Sequence, residues 1–119
     1  FKETGQTLTL DHEELIDSVT GISGSGPAFC YQIALEVSKA GQKNGLSKEE
    51  SLTLMAQTMI GAGKLLLESS QTPESLIAAV SSPNGTTVAG LEQFQRTAIG
   101  QDLQSVIQAA IDRAKALAQ

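Results

Sequence analysis

Two stretches of this chain would be apolar around most of a helix's circumference, and together they restrict the possible folds more than any other feature. The first, residues 28–43, reads "AFCYQIALEVSKAGQK" and carries Ala28, Phe29, Cys30, Tyr31, Ile33, Ala34, Leu35, Val37 and Ala40. The second places Leu52, Met55, Ala56, Met59, Ala62, Gly63 and Leu66 at i, i+3 and i+4 spacing. A helix that is apolar all round must be sheltered on all sides. In 119 residues the remaining short elements cannot shelter both, and burial against a second copy is the simplest solution. The expectation is an all-α helical bundle with two long buried helices, forming an intertwined homodimer.

The rest of the chain is consistent with helices. Residues 11–19 carry a capping box, with Asp11 able to cap the first amides and Glu14 able to reach back. "TGISGSGP" is expected to break that helix, and Pro27 suits the first turn of the next. Asn44-Gly45 is a stop signal, and Ser47 with Glu50 forms a second capping box. The small residues Ala56, Gly61, Ala62 and Gly63 would let another helix approach closely. Thr72-Pro73 opens a short helix through Val80, residues 88–96 form another, and residues 101–117 have the cleanest amphipathic pattern. The opening "FKETGQTLTL" reads as a short extended stretch with a Gly turn. Because the chain starts on Phe1, a longer protein is expected, with residues 1–10 the tail of a preceding cofactor domain and residues 11–119 the helical domain.

Composition removes several function classes. A net charge of −5 with eight scattered basic residues argues against nucleic acid as partner. Aromatic residues are 3% and Trp is absent, so the core must be aliphatic. A single cysteine, Cys30, excludes an internal disulfide framework, fits a reducing cytoplasm and reads as core. No run has the apolar length of a membrane span and no signal peptide is visible. His12, the only histidine, lies in a polar first turn, and no metal site is expected. "GSGPAF" is not a dinucleotide fingerprint, because Phe29 stands where the third glycine belongs. "GAGK" at residues 61–64 is not a phosphate-binding loop, because Thr58 occupies the first glycine position.

The stretch "SSPNGTTVAGL", residues 81–91, is different. From Ser81 to Thr87 nothing is larger than Asn or Pro. Pro83 fixes its φ, while Asn84 and Gly85 tolerate left-handed geometry. Such a turn can aim consecutive N–H groups into one concavity, and Thr86 or Thr87 would cap the following helix, whose free amides favour an anion. On the residues alone, a carboxylate cradle and a tight interhelical turn remain equally open.

"TGISGSGPAF" and "SSPNGTTVAGL" together resemble the two signature stretches of the C-terminal domain of the pyrroline-5-carboxylate reductase family. Residues 82–87 are similar to that family's Ser-Pro-Gly-Gly-Thr-Thr pattern. The order and spacing of the helices agree from Asp11 onward. The resemblance implies a small-molecule substrate, 1-pyrroline-5-carboxylate, reduced to L-proline, the last step of proline synthesis. It also implies NADPH or NADH, bound mainly by an N-terminal domain, and a homodimer able to build higher assemblies. Carried onto this chain, Ser82, Asn84, Gly85, Thr86 and Thr87 would bind substrate, and Thr87 would be catalytic, hydrogen-bonding the ring nitrogen. Ser23, Gly24 and Ser25 would lie beside the cofactor. Two departures stand out: Asn84 replaces the usual first glycine, and Thr72 stands where the family often has His. The competing readings are a helical domain of a β-hydroxyacid-type dehydrogenase, with Lys39, Lys43 or Lys64 as its lysine, and a non-enzymatic dimerisation module.

Overall fold

A computed structural model describes residues 2–3, 6–7 and 14–119. Nearly all of the described chain is helical. A two-residue antiparallel pair, β1 (Lys2–Glu3) and β2 (Gln6–Thr7), opens it in the register Lys2↔Thr7 and Glu3↔Gln6. Six α-helices follow: α1 (Glu14–Val19), α2 (Gly26–Lys43), α3 (Lys48–Glu68), α4 (Pro73–Ala79), α5 (Thr86–Arg96) and α6 (Ile99–Leu117). A π-helical turn, Thr20–Gly24, joins α1 to α2. The all-α class holds. The proposed capping pair of Asp11 with Glu14, the side chain of His12, and Leu8 and Leu10 lie outside the described residues.

The chain divides into two compact units, Phe1–Phe29 with Gly100–Gln119, and Cys30–Ile99. In the second unit the turn between α2 and α3 is closed by local hydrogen bonds. Gly45 has a φ of 99°, the left-handed value for which glycine is favoured. The Leu46 N–H donates to the Gly41 carbonyl at 3.0 Å and the Gly45 N–H to Gln42 at 3.3 Å, the paired bonds of a Schellman ending. Asn44 Nδ2 donates to the Ala40 carbonyl at 2.8 Å. The predicted capping box then starts α3: Ser47 Oγ accepts from the Glu50 N–H at 3.0 Å and Glu50 Oε1 from the Ser47 N–H at 2.8 Å. The Ser47 N–H holds the Glu50 carboxyl below its ordinary value, with the Ser47 hydroxyl contributing less. Behind this turn α2 and α3 touch where Gly41 faces Ser51; a Cβ on Gly41 would overlap Ser51 Oγ.

Thr72 caps α4 as its sequence suggests, accepting from the Ser75 N–H at 3.1 Å, with Pro73 at the first helical position. Beside it an apolar groove is lined by Ala62, Leu65 and Leu66 of α3 and Leu76, Ile77 and Val80 of the α4 segment.

The helices are apolar as expected, yet among the described residues no hydrophobic side chain is fully buried. The buried polar side chains are Ser38 and Ser51. Tyr31 on α2 is 69% exposed and Ile60 on α3 is 71% exposed. Cys30, expected in the core, is exposed, because the face it shares on α2 has no cover within one chain. The close approach predicted at Gly61 and Gly63 does not occur within the described chain: a Cβ at either would meet nothing within 4 Å. A stripe this apolar and this open is what an association surface looks like before its partner is added.

Candidate functional site

The loop between α4 and α5 is built from its sequence upward. Ser81 Oγ donates back to the Ile77 carbonyl at 2.6 Å, fastening the loop to the end of α4. The Gly85 N–H donates to the Ser82 carbonyl at 3.0 Å, so Ser82, Pro83, Asn84 and Gly85 form one tight turn. Asn84 has a φ of 61° and is the only described non-glycine residue with positive φ. Proline at the second position and positive φ at the third are the signature of a type II turn. Asn therefore keeps the backbone that a glycine would otherwise supply. Gly85 is extended (φ −87°, ψ −179°), and its bareness matters for packing: a Cβ there would lie 3.0 Å from the Ser82 carbonyl oxygen.

The predicted threonine cap is corrected. The N-cap of α5 is Gly85, which has no side chain to offer, and Thr86 and Thr87 are the first two helical residues. The turn ends extended at Gly85, so the helix starts one residue earlier than a threonine cap would need. As a result, no side chain among the described residues accepts from the first amides of α5. Such amides, with the helix dipole behind them, favour negative charge. Thr87 and Gly85 are half-buried; Ser82, Asn84 and Thr86 are exposed. The loop thus brings all five residues predicted to bind substrate into one short segment.

Ser23, Gly24 and Ser25 belong to the other unit. The expected break at "TGISGSGP" is instead a widened turn. The Ser25 N–H donates to the Thr20 carbonyl at 2.9 Å, a five-residue step, and Thr20 Oγ1 donates to the Ile16 carbonyl at 3.0 Å. Threonine back-bonding of this kind bends helices, and π-turns recur at functional sites. None of the three glycines here has positive φ. Ser23 and Ser25 are half-buried. Of the alternative lysines, Lys39 pairs with Glu36 at 3.0 Å, which holds the Glu36 carboxyl low. No helix among the described residues is long and apolar enough to cross a membrane.

Helices with apolar faces left open define the class: an α-helical oligomerisation domain. Residues 13–117 match the family model described as pyrroline-5-carboxylate reductase dimerisation, and the chain belongs to that family. It is 37% identical over 97% of its length to pyrroline-5-carboxylate reductase 1 of Bacillus subtilis, covering 38% of that protein. It is 47% identical over 78% of its length to pyrroline-5-carboxylate reductase 2 of the same organism, covering 34%. Among solved structures, the 1-pyrroline-5-carboxylate reductase of Streptococcus pyogenes superposes with a TM-score of 0.86 at 38% identity, covering 94% of this chain and 43% of that one. The Plasmodium falciparum enzyme, solved with NADP bound, gives 0.84 at 33% identity, covering 91% and 41%. The chain therefore spans well under half the length of these relatives.

Sequence reasoning gave no signal for the role of Gly21, whose burial depends on α6 at the far end of the chain. Gly41 was missed for a similar reason: the need for glycine arises from its neighbour across the α2–α3 turn.

Proposed function

We propose that this chain is the dimerisation and substrate-binding part of a cytoplasmic, NAD(P)H-dependent reductase that converts 1-pyrroline-5-carboxylate to L-proline. The observation that carries the reading is the turn of Ser82, Pro83, Asn84 and Gly85, which delivers uncapped amides at the start of α5. In this reading the N–H groups of Thr86 and Thr87 donate to the substrate carboxylate, and Ser82 and Asn84 shape the rim. Hydrogen bonds to a charged group contribute about 1.5–3 kcal/mol each, so two or three fix the ring's orientation. In the same reading the side chain of Thr87, which is half-buried, donates to the ring nitrogen. That bond strengthens as the imine nitrogen becomes an amine, which is the condition for accelerating the step rather than only binding substrate.

A nicotinamide nucleotide, when bound, supplies the hydride. Its main site is expected in a preceding domain, with residues 1–10 the end of the connection. Ser23 and Ser25 suit its edge: both are half-buried, and neither hydroxyl has a hydrogen-bond partner among the described residues. NADP in the Plasmodium falciparum relative supports a nicotinamide nucleotide as the hydride donor here. A homodimer, able to build larger assemblies, would cover the open faces of α2 and α3.

The test uses the full-length protein carrying this chain. Consumption of NADPH or NADH should require 1-pyrroline-5-carboxylate and yield L-proline. Turnover of a β-keto acid without turnover of the cyclic imine would replace this reading with the β-hydroxyacid type.

A further inference from the structure

Gly21 occupies the second position of the π-helical turn and is buried. A Cβ there would overlap Ile111 Cγ1 on α6 and come within 3.1 Å of the Ile111 amide nitrogen and 3.3 Å of its Cα. Rotation of the isoleucine side chain can relieve the first contact but not the two with backbone. The other glycines of the segment differ. A Cβ on Gly24 would be 3.6 Å from Thr20 Cγ2, an ordinary contact, and one on Gly26 would meet nothing within 4 Å. The bare backbone of Gly21 is therefore what lets the turn rest directly on α6.

The turn transmits that seating. The hydrogen bond from the Ser25 N–H to the Thr20 carbonyl, 2.9 Å, encloses residues 21–24 in one ring. Lifting Gly21 off α6 shifts the whole ring, and Ser23, Gly24 and Ser25 move with it. We propose that Gly21 is a positioning residue for the nucleotide side of the site, setting the height of this turn above Ile111. The inference rests on the reading above that Ser23, Gly24 and Ser25 border the nicotinamide nucleotide. Misplacements of an ångström or less are enough to impair a bound geometry.

The experiment is steady-state kinetics on the full-length protein, varying nucleotide and cyclic imine in turn. Gly21→Ala should raise the KM for the nucleotide about tenfold while the KM for the imine stays within about twofold. Gly21→Ala combined with Ile111→Ala should recover only the part of that loss caused by the Ile111 side chain, because the contacts with the Ile111 amide nitrogen and Cα remain, and Gly26→Ala should change neither constant. If Gly21→Ala does not accumulate as folded protein, Ile111→Ala alone removes the side-chain part of the seat under Gly21 and should raise the nucleotide KM about threefold. Proportional changes in both KM values, or no change in either, would overturn the positioning role. A Ser23→Ala, Ser25→Ala double variant separates the two ideas. If it leaves the nucleotide KM unchanged, the underlying reading fails and the inference with it; if it raises that KM and Gly21→Ala does not, only the positioning role fails.

Discussion

The α2–α3 turn and the α4–α5 loop use nearly the same residues for opposite ends. Both contain Asn-Gly, both hold one residue in the left-handed region, and both deliver the chain into a helix. In the first, glycine takes positive φ, Ser47 caps and Glu50 closes the box, so the amides are satisfied locally. In the second, asparagine takes positive φ, glycine lands on the N-cap, and the first amides of α5 are left for something else. Shifting the left-handed position by one residue within an Asn-Gly pair thus accompanies a change from locally capped amides to open ones, a joint in the first case and, on the reading proposed above, a receptor in the second. A joint should fail by losing stability and a receptor by losing function.

The sharpest way to break this comparison is at Thr87. Thr87→Ala in the full-length protein should lower kcat/KM for the imine by about ten- to a hundredfold, equivalent to about 1.5–3 kcal/mol, with the unfolding midpoint nearly unmoved. A large fall in midpoint with turnover preserved would make the loop a joint like the other. Next in size is Gly45→Ala, which forces a side chain into a φ of 99°. It should cost about 1–2 kcal/mol in denaturant unfolding and leave the imine KM untouched. The smallest effect concerns pH. Glu50 has its folded value lowered from 4.5 by its bonds to Ser47. Its contribution is therefore present above the unfolded value and is lost as pH falls through the folded one. Thermal melts of the wild type and Glu50→Gln should differ slightly near neutral pH and converge below the ordinary carboxylate range; a gap that persists in acid would show that charge is not what the box uses.

Local chemistry was legible in the sequence. Ser47 with Glu50, Asn44-Gly45, Thr72-Pro73 and the left-handed Asn84 all rest on contacts within a few residues, and the structure places each where its pattern indicates. Thr86 and Thr87 show how fine the limit is: the helix start shifted by one residue, and an expected cap became two open amides. Distant contacts were not legible. Gly21 looks like a helix breaker in the sequence, and only Ile111 of α6 reveals it as a packing requirement. Apolar patterning located α2, α3 and α6 well, but it cannot say whether cover comes from the same chain or another. Cys30, expected in the core, is exposed within the single chain for that reason.

The short helix α4 has a geometric consequence for how this protein can vary. It is anchored at one end by the Thr72 cap and at the other by the Ser81 bond to Ile77. Between those anchors it behaves as a threaded rod, coupling advance to rotation at about 1.5 Å and 100° per residue. Adding or removing one residue would swing the α4–α5 loop through that angle, a far larger displacement than a side-chain exchange produces. Spacing between Thr72 and Ser81 is therefore the quantity this segment must keep, while the identities of its outward-facing residues are free to drift.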